Sequence, residues 1–229
     1  MKIRTLTRWV ALLKRNRCGI ILGALCLFVL TDPLVVGTAI SSAFVGLVGV
    51  ASLSLAVWPL RPRRLAMMGG LLAVMVATEL LVEMGFAMPW GRAAARSATV
   101  LFCVTTIFAL LGRVMDQRPI TIDKVFAAIS AYVLIGVLFA TIYSLLQLMQ
   151  PTALFVNMTN DLDGMLGWSD LVYFSFTILT TTGLGEITPT THQARSLIIL
   201  EQVLGTMYVA FLIARLANSY NSHRHDRRS

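Results

Sequence analysis

Six apolar runs, parted by short clusters of basic residues, set the terms on which this chain can fold. They occupy residues 18–30, 34–58, 65–88, 97–111, 125–149 and about 196–214. A helix rises ~1.5 Å per residue, so about 20 apolar residues cross the ~30 Å hydrocarbon core of a bilayer. The first run is the weakest, because its 13 apolar residues rise only ~20 Å. Snorkelling of Arg15 and Arg17 lengthens it. The rival reading is a cleaved signal peptide, which also has a basic start and an apolar core. No small-x-small site follows Leu30, and its removal would leave five spans, so a retained helix is expected. Composition agrees with a membrane domain. Apolar residues make up 57% and charged residues 13% of the chain, against about 45–50% and about 25% in a soluble domain. A water-soluble globule and a disordered chain are both excluded.

Six spans place both termini on one side, and the basic residues test that layout. With the termini cytoplasmic, sixteen of the nineteen Lys and Arg are inside, and only Arg92, Arg96 and Arg195 are outside. That asymmetry is the one membrane insertion selects. Upstream of the first run, Ile3, Leu6, Val10 and Leu13 recur at helical spacing among basic residues. The pattern fits a short helix on an anionic membrane surface or a frayed basic tail. Cys18, Cys26 and Cys103 all fall in apolar runs and read as small packing residues.

Residues 150–195 are neither a span nor a simple loop. The polar stretch 157–164 leads to Trp168, Ser169 and Asp170, then to an apolar and aromatic run, Leu171 to Leu179. That run is too short to cross and ends in Thr180-Thr181-Thr182-Gly183-Leu184-Gly185-Glu186-Ile187-Thr188-Pro189. Irregular backbone at membrane depth is tolerated only where protein or water surrounds it. A short re-entrant helix, capped by Ser169 or Asp170, would point its partially negative C-terminus towards the membrane centre. Backbone carbonyls can replace the water of a monovalent cation when successive residues turn them to one axis. That turn needs left-handed backbone, which Gly183 and Gly185 adopt without a Cβ clash. One chain supplies one wall, so a closed pore takes four copies. An ordinary polar loop is the bland alternative, since Thr-Gly and Thr-Pro pairs punctuate turns.

In the order YFSFTILTTTGLGEITP, these residues resemble the pore helix and filter of potassium channels, whose filter reads TVGYG followed by Asp. The resemblance covers about 125–217 and implies that Thr181, Thr182, Gly183, Leu184 and Gly185 form the filter, with Glu186 at the acidic position after it. It implies potassium held by the carbonyls of Thr181, Thr182, Gly183 and Leu184 and by the Thr181 hydroxyl. Gly205, twenty residues beyond Gly185, takes the place of the inner-helix hinge glycine, or merely permits close packing. The sequence departs from the pattern at two positions. Thr182 stands for the usual Val and Leu184 for the usual Tyr, which leaves other monovalent cations open beside potassium. In the family, that Tyr holds the filter through hydrogen bonds to pore-helix aromatics. Leu184 can only pack, against Tyr173 or Phe176, and Thr182 puts a hydroxyl behind the filter.

Acidic residues outside the spans raise cation concentration at a pore mouth. Glu186 and Asp170 flank the filter and are the mouth candidates, whereas Asp161 and Asp163 read as solvated loop charge. Carboxylates inside spans are functional candidates by default. Glu79 and Glu83 read as partners of Arg92 and Arg96, ahead of a proton-sensing role. Glu201, behind the filter, is assigned to support or to gating. The fourth run has Arg92 and Arg96 before it, Arg113 after it and an apolar interior, so no voltage-sensing ladder is expected. His223 and His225 belong to a solvated basic tail.

The expected fold is an all-α membrane protein with six transmembrane helices and a re-entrant pore helix and filter loop between helices five and six. Residues 1–17 form a basic cytoplasmic or interfacial segment, 18–124 a four-helix domain, 125–217 the pore domain and 218–229 a basic cytoplasmic tail. The expected function is passive passage of potassium, or monovalent cations more broadly, through a homotetramer in the plasma membrane. A secondary transporter and a non-conducting pore-like regulatory subunit are the alternatives. No enzyme chemistry, cofactor or nucleic-acid partner is expected. The partners are sister subunits, the lipid bilayer and the permeant cation.

Overall fold

The computed structural model describes helical residues between 18 and 29 together with residues 89–116, 121–156 and 166–226. The second and third apolar runs lie outside the described residues, as do the 1–17 segment, Glu79, Glu83, Asp161 and Asp163. Beyond the first helical stretch, the described residues form four helices and two short strands. They are α1 (Pro89–Val114), α2 (Ile122–Met149), β1 (Leu154–Val156), α3 (Trp168–Leu179), β2 (Ile187–Pro189) and α4 (His192–Asp226). Among the described residues, three helical segments are long and apolar enough to cross a membrane: Trp90–Val114, Ile122–Met149 and His192–Arg215.

Boundaries differ from the sequence expectation where local chemistry intervenes. Helix α1 begins at Pro89, ahead of the apolar run, because proline is well suited to a first helical turn. Arg92 and Arg96 therefore lie within the helix rather than before it. Helix α4 continues to Asp226, so the basic tail is helical that far. The cap of α3 is Gly167, not Ser169 or Asp170. Asp170 still serves that end, since its Oδ2 accepts the Gly167 N–H at 2.9 Å.

Helix α2 is the centre of the packing, touching α1, α3 and α4. Its buried face is rich in small residues, Ala127, Ala128, Ala131, Gly136 and Ala140 among them, which let neighbouring backbones approach closely. Within the chain 61% of the α2 span is buried, against 17% of the α4 span. The α4 surface carries exposed Ile199, Leu200, Val203, Met207 and Ile213. Helices α2 and α4 run antiparallel: Tyr208 donates to the Ala128 carbonyl at 2.6 Å, and Tyr143 to Glu201 at 2.6 Å.

Residues between 18 and 29 join this core through Cys18, Ile21 and Leu25, all buried on one helical face. The Cys18 N–H donates to Asp123 Oδ1 at 2.8 Å, and Arg113 reaches the Cys18 sulfur at 3.7 Å. Arg215 donates to the Asp116 carbonyl at 2.9 Å. The start of the first helical stretch, the α1–α2 turn and the far end of the α4 span therefore share one end of the bundle. At the other end, the Arg96 guanidinium lies 5.3 Å from the centre of the Trp168 ring, a cation–π contact. The strands pair antiparallel, Leu154 opposite Pro189 and Val156 opposite Ile187, and clasp the chain beyond the 180–186 segment.

Candidate functional site

With 12 residues, α3 rises ~18 Å, well short of a bilayer core. It is wedged between α2 and α4, burying Leu171, Val172, Phe174, Ser175, Ile178 and Leu179. Gly136 makes the α2 contact possible: a Cβ there would lie 2.8 Å from the edge of the Phe176 ring. Phe176 thus packs on α2, and of the two partners expected for Leu184 only Tyr173 shares a hollow with it. Leu184 itself is 58% exposed in the single chain.

At the C-terminus of α3 the chain folds back on the helix's own carbonyls. Thr181 N–H donates to the Ile178 oxygen at 2.9 Å. The Thr177 oxygen takes two donors, Thr182 N–H at 2.9 Å and Gly183 N–H at 3.1 Å. The Thr182 hydroxyl lies 2.9 Å from that of Thr180, which donates to the Phe176 oxygen at 2.7 Å. The Thr182 hydroxyl is thus tied to the C-terminal end of α3.

Backbone angles then alternate. Thr181, Gly183 and Gly185 have φ of 59°, 54° and 80°, while Thr182 and Leu184 between them do not enter that region. In an extended strand successive carbonyls point to opposite sides. Inverting every second residue brings them towards one side, the arrangement a carbonyl cation site requires. Among the described residues, no hydrogen bond within the chain reaches the carbonyl oxygens of Thr181, Thr182, Gly183 or Leu184. All four residues are exposed, so these oxygens are open to the surroundings of the chain. The helix end behind them carries partial negative charge, which favours a cation.

Two further tethers hold the segment. The Tyr173 hydroxyl donates to Glu186 Oε2 at 3.0 Å, so α3 holds the residue that follows Gly185. Tyr132 of α2 donates to the Leu179 oxygen at 3.2 Å, its ring 5.6 Å from that of Tyr208. The same Leu179 oxygen faces Gly205, where an added Cβ would overlap it. Gly205 lies inside the continuous helix α4, packed against Leu179 at the end of α3. Asp170 remains exposed at the N-terminus of α3.

Glu201 is fully buried between the helices, one turn before Gly205. Its two oxygens meet Tyr143 of α2 at 2.6 Å and Ser175 of α3 at 2.5 Å. Sequence reasoning singled out Glu201 but missed both hydroxyl partners. The available signal was a serine and a tyrosine placed inside otherwise apolar helices.

No curated protein and no solved structure matches the chain. Residues 131–221 match a family model described as ion channel. The matched stretch takes in most of α2, the strands, all of α3 and α4 almost to its end, which supports an ion-channel domain there.

Proposed function

We propose that the protein conducts potassium passively across the plasma membrane as a homotetramer, with Thr181 to Gly185 as the selectivity filter. The observation that carries this reading is the alternation of φ over Thr181, Gly183 and Gly185 in a stretch whose carbonyls accept no hydrogen bond from the described residues. Four such walls around an axis replace the hydration shell of a passing cation. The exposed apolar surface of α4 supports assembly, because sister subunits and lipid then cover what the chain leaves bare. Glu186 and Asp170 stand at the outer mouth, where they concentrate cations. The bundle end that gathers Arg113, Lys124 and Arg215 faces the cytoplasm on this reading, and both termini with it.

Reconstitution into liposomes tests the proposal. Reversal potentials under mixed potassium and sodium are expected to follow the potassium gradient, with barium blocking the flux. Flux coupled stoichiometrically to protons would overturn it in favour of a carrier.

A further inference from the structure

Three contacts between oxygen atoms meet around the buried side chain of Glu201. Tyr143 Oη lies 2.6 Å from Glu201 Oε2. Ser175 Oγ lies 2.5 Å from Glu201 Oε1 and also 2.8 Å from the carbonyl oxygen of Gly136. All three are hydrogen-bond lengths, and each needs a hydrogen between its oxygens. Tyr143 supplies one and Ser175 supplies one. The Gly136 carbonyl only accepts, and an ionised carboxylate only accepts as well. Two hydrogens cannot fill three contacts. The third comes from Glu201 itself, and a single arrangement satisfies every atom. Tyr143 donates to Oε2, Glu201 donates from Oε1 to Ser175 Oγ, and Ser175 donates to the Gly136 carbonyl.

The surroundings point the same way. Glu201 has 0% exposure, and the groups that α2 and α3 bring to it are neutral hydroxyls. Tyr132 of α2 lies within electrostatic reach as a further neutral phenol. Among the described residues no Lys, Arg or His pairs with Glu201. A buried carboxylate without a cation bears a large desolvation cost that the neutral acid avoids.

We infer that Glu201 is held as a neutral carboxylic acid whose proton completes a hydrogen-bond chain from α4 through Ser175 of α3 to the α2 backbone at Gly136. The chain fastens all three helices at one level. Ser175 lies two residues before Thr177, whose carbonyl holds the Thr182 and Gly183 N–H groups, so Glu201 is a positioning residue for the 180–185 segment. That functional consequence rests on the filter reading above; the protonation state does not.

Infrared spectra of the full-length protein in lipid at neutral pH decide the matter. The wild type is expected to show the C=O stretch of a neutral carboxyl that Glu201→Gln removes. Ser175→Ala takes away the acceptor of the acid proton and is expected to shift the same band, as is Tyr143→Phe on the other oxygen. These two comparisons need no folded Glu201→Gln protein. A carboxylate stretch lost in Glu201→Gln, or a neutral band that neither Ser175→Ala nor Tyr143→Phe moves, would overturn the inference. The spectrum requires no current. A shifting neutral band in a protein that passes no ions would uphold the bridge while removing the channel reading.

Discussion

The hydroxyl of Tyr173 donates to Glu186 Oε2 at 3.0 Å, so the second turn of α3 holds the residue that follows Gly185. Tyr173→Phe keeps the ring and deletes this bond. The pair is exposed, so the loss of stability should fall at or below the ~0.5–1.5 kcal/mol of an ordinary hydrogen bond. Function should respond more, with faster decay of potassium current during sustained activity. Patch recordings showing unchanged decay would leave the bond without a role at the filter.

Gly183 and Gly185 have positive φ, yet a Cβ at either would meet nothing within 4 Å among the described residues. An alanine there suffers from backbone conformation alone, about 1–2 kcal/mol per residue. Gly183→Ala is expected to abolish potassium flux while the helical circular dichroism signal and the assembled species persist. Normal flux through that variant would count against the filter assignment.

Gly205 makes the opposite demand, for space. Its missing Cβ makes room for the backbone oxygen of Leu179, which no rotamer change can move aside. Gly205→Ala should part α4 from α3 and destabilise the protein by ~1–3 kcal/mol, the usual range for overpacking. A lowered thermal midpoint identifies a packing glycine. A hinge alone predicts altered gating with the midpoint unchanged.

Thr182→Val removes the hydroxyl that meets Thr180 at 2.9 Å, and Leu184→Tyr places a phenol at an exposed position. Together they are expected to raise potassium-over-sodium permeability about tenfold, equivalent to ~1.4 kcal/mol. Reversal potentials measure the ratio. An unchanged ratio would mean that both departures are neutral for selectivity.

Much of the site was legible because its chemistry is local. The short aromatic run and the two glycines after it fix a helix, its end and the left-handed turns within fewer than twenty residues. The first helical stretch was harder to read, since Cys18, Ile21 and Leu25 reveal a buried face only when α1 and α2 lie against them. The N-cap at Gly167 escaped notice because glycine lacks the side-chain oxygen that marks a cap, and Asp170 supplies it from a turn inside. The partners of Glu201 were out of reach for a different reason. Tyr143 and Ser175 lie 58 and 26 residues away in sequence, and nothing in an apolar run says which neighbour a lone hydroxyl will face.

Position 181 differs from its two companions in the alternation. Glycine adopts that backbone freely at 183 and 185, whereas Thr181 carries a β-branched side chain at φ 59°, where such residues are outliers. Strain of this kind, of order 1–3 kcal/mol, persists only where the surrounding structure imposes it. A bare bend could be made more cheaply from glycine or asparagine. On the filter reading proposed above, that alcohol is the innermost oxygen offered to a cation, kept there against conformational preference.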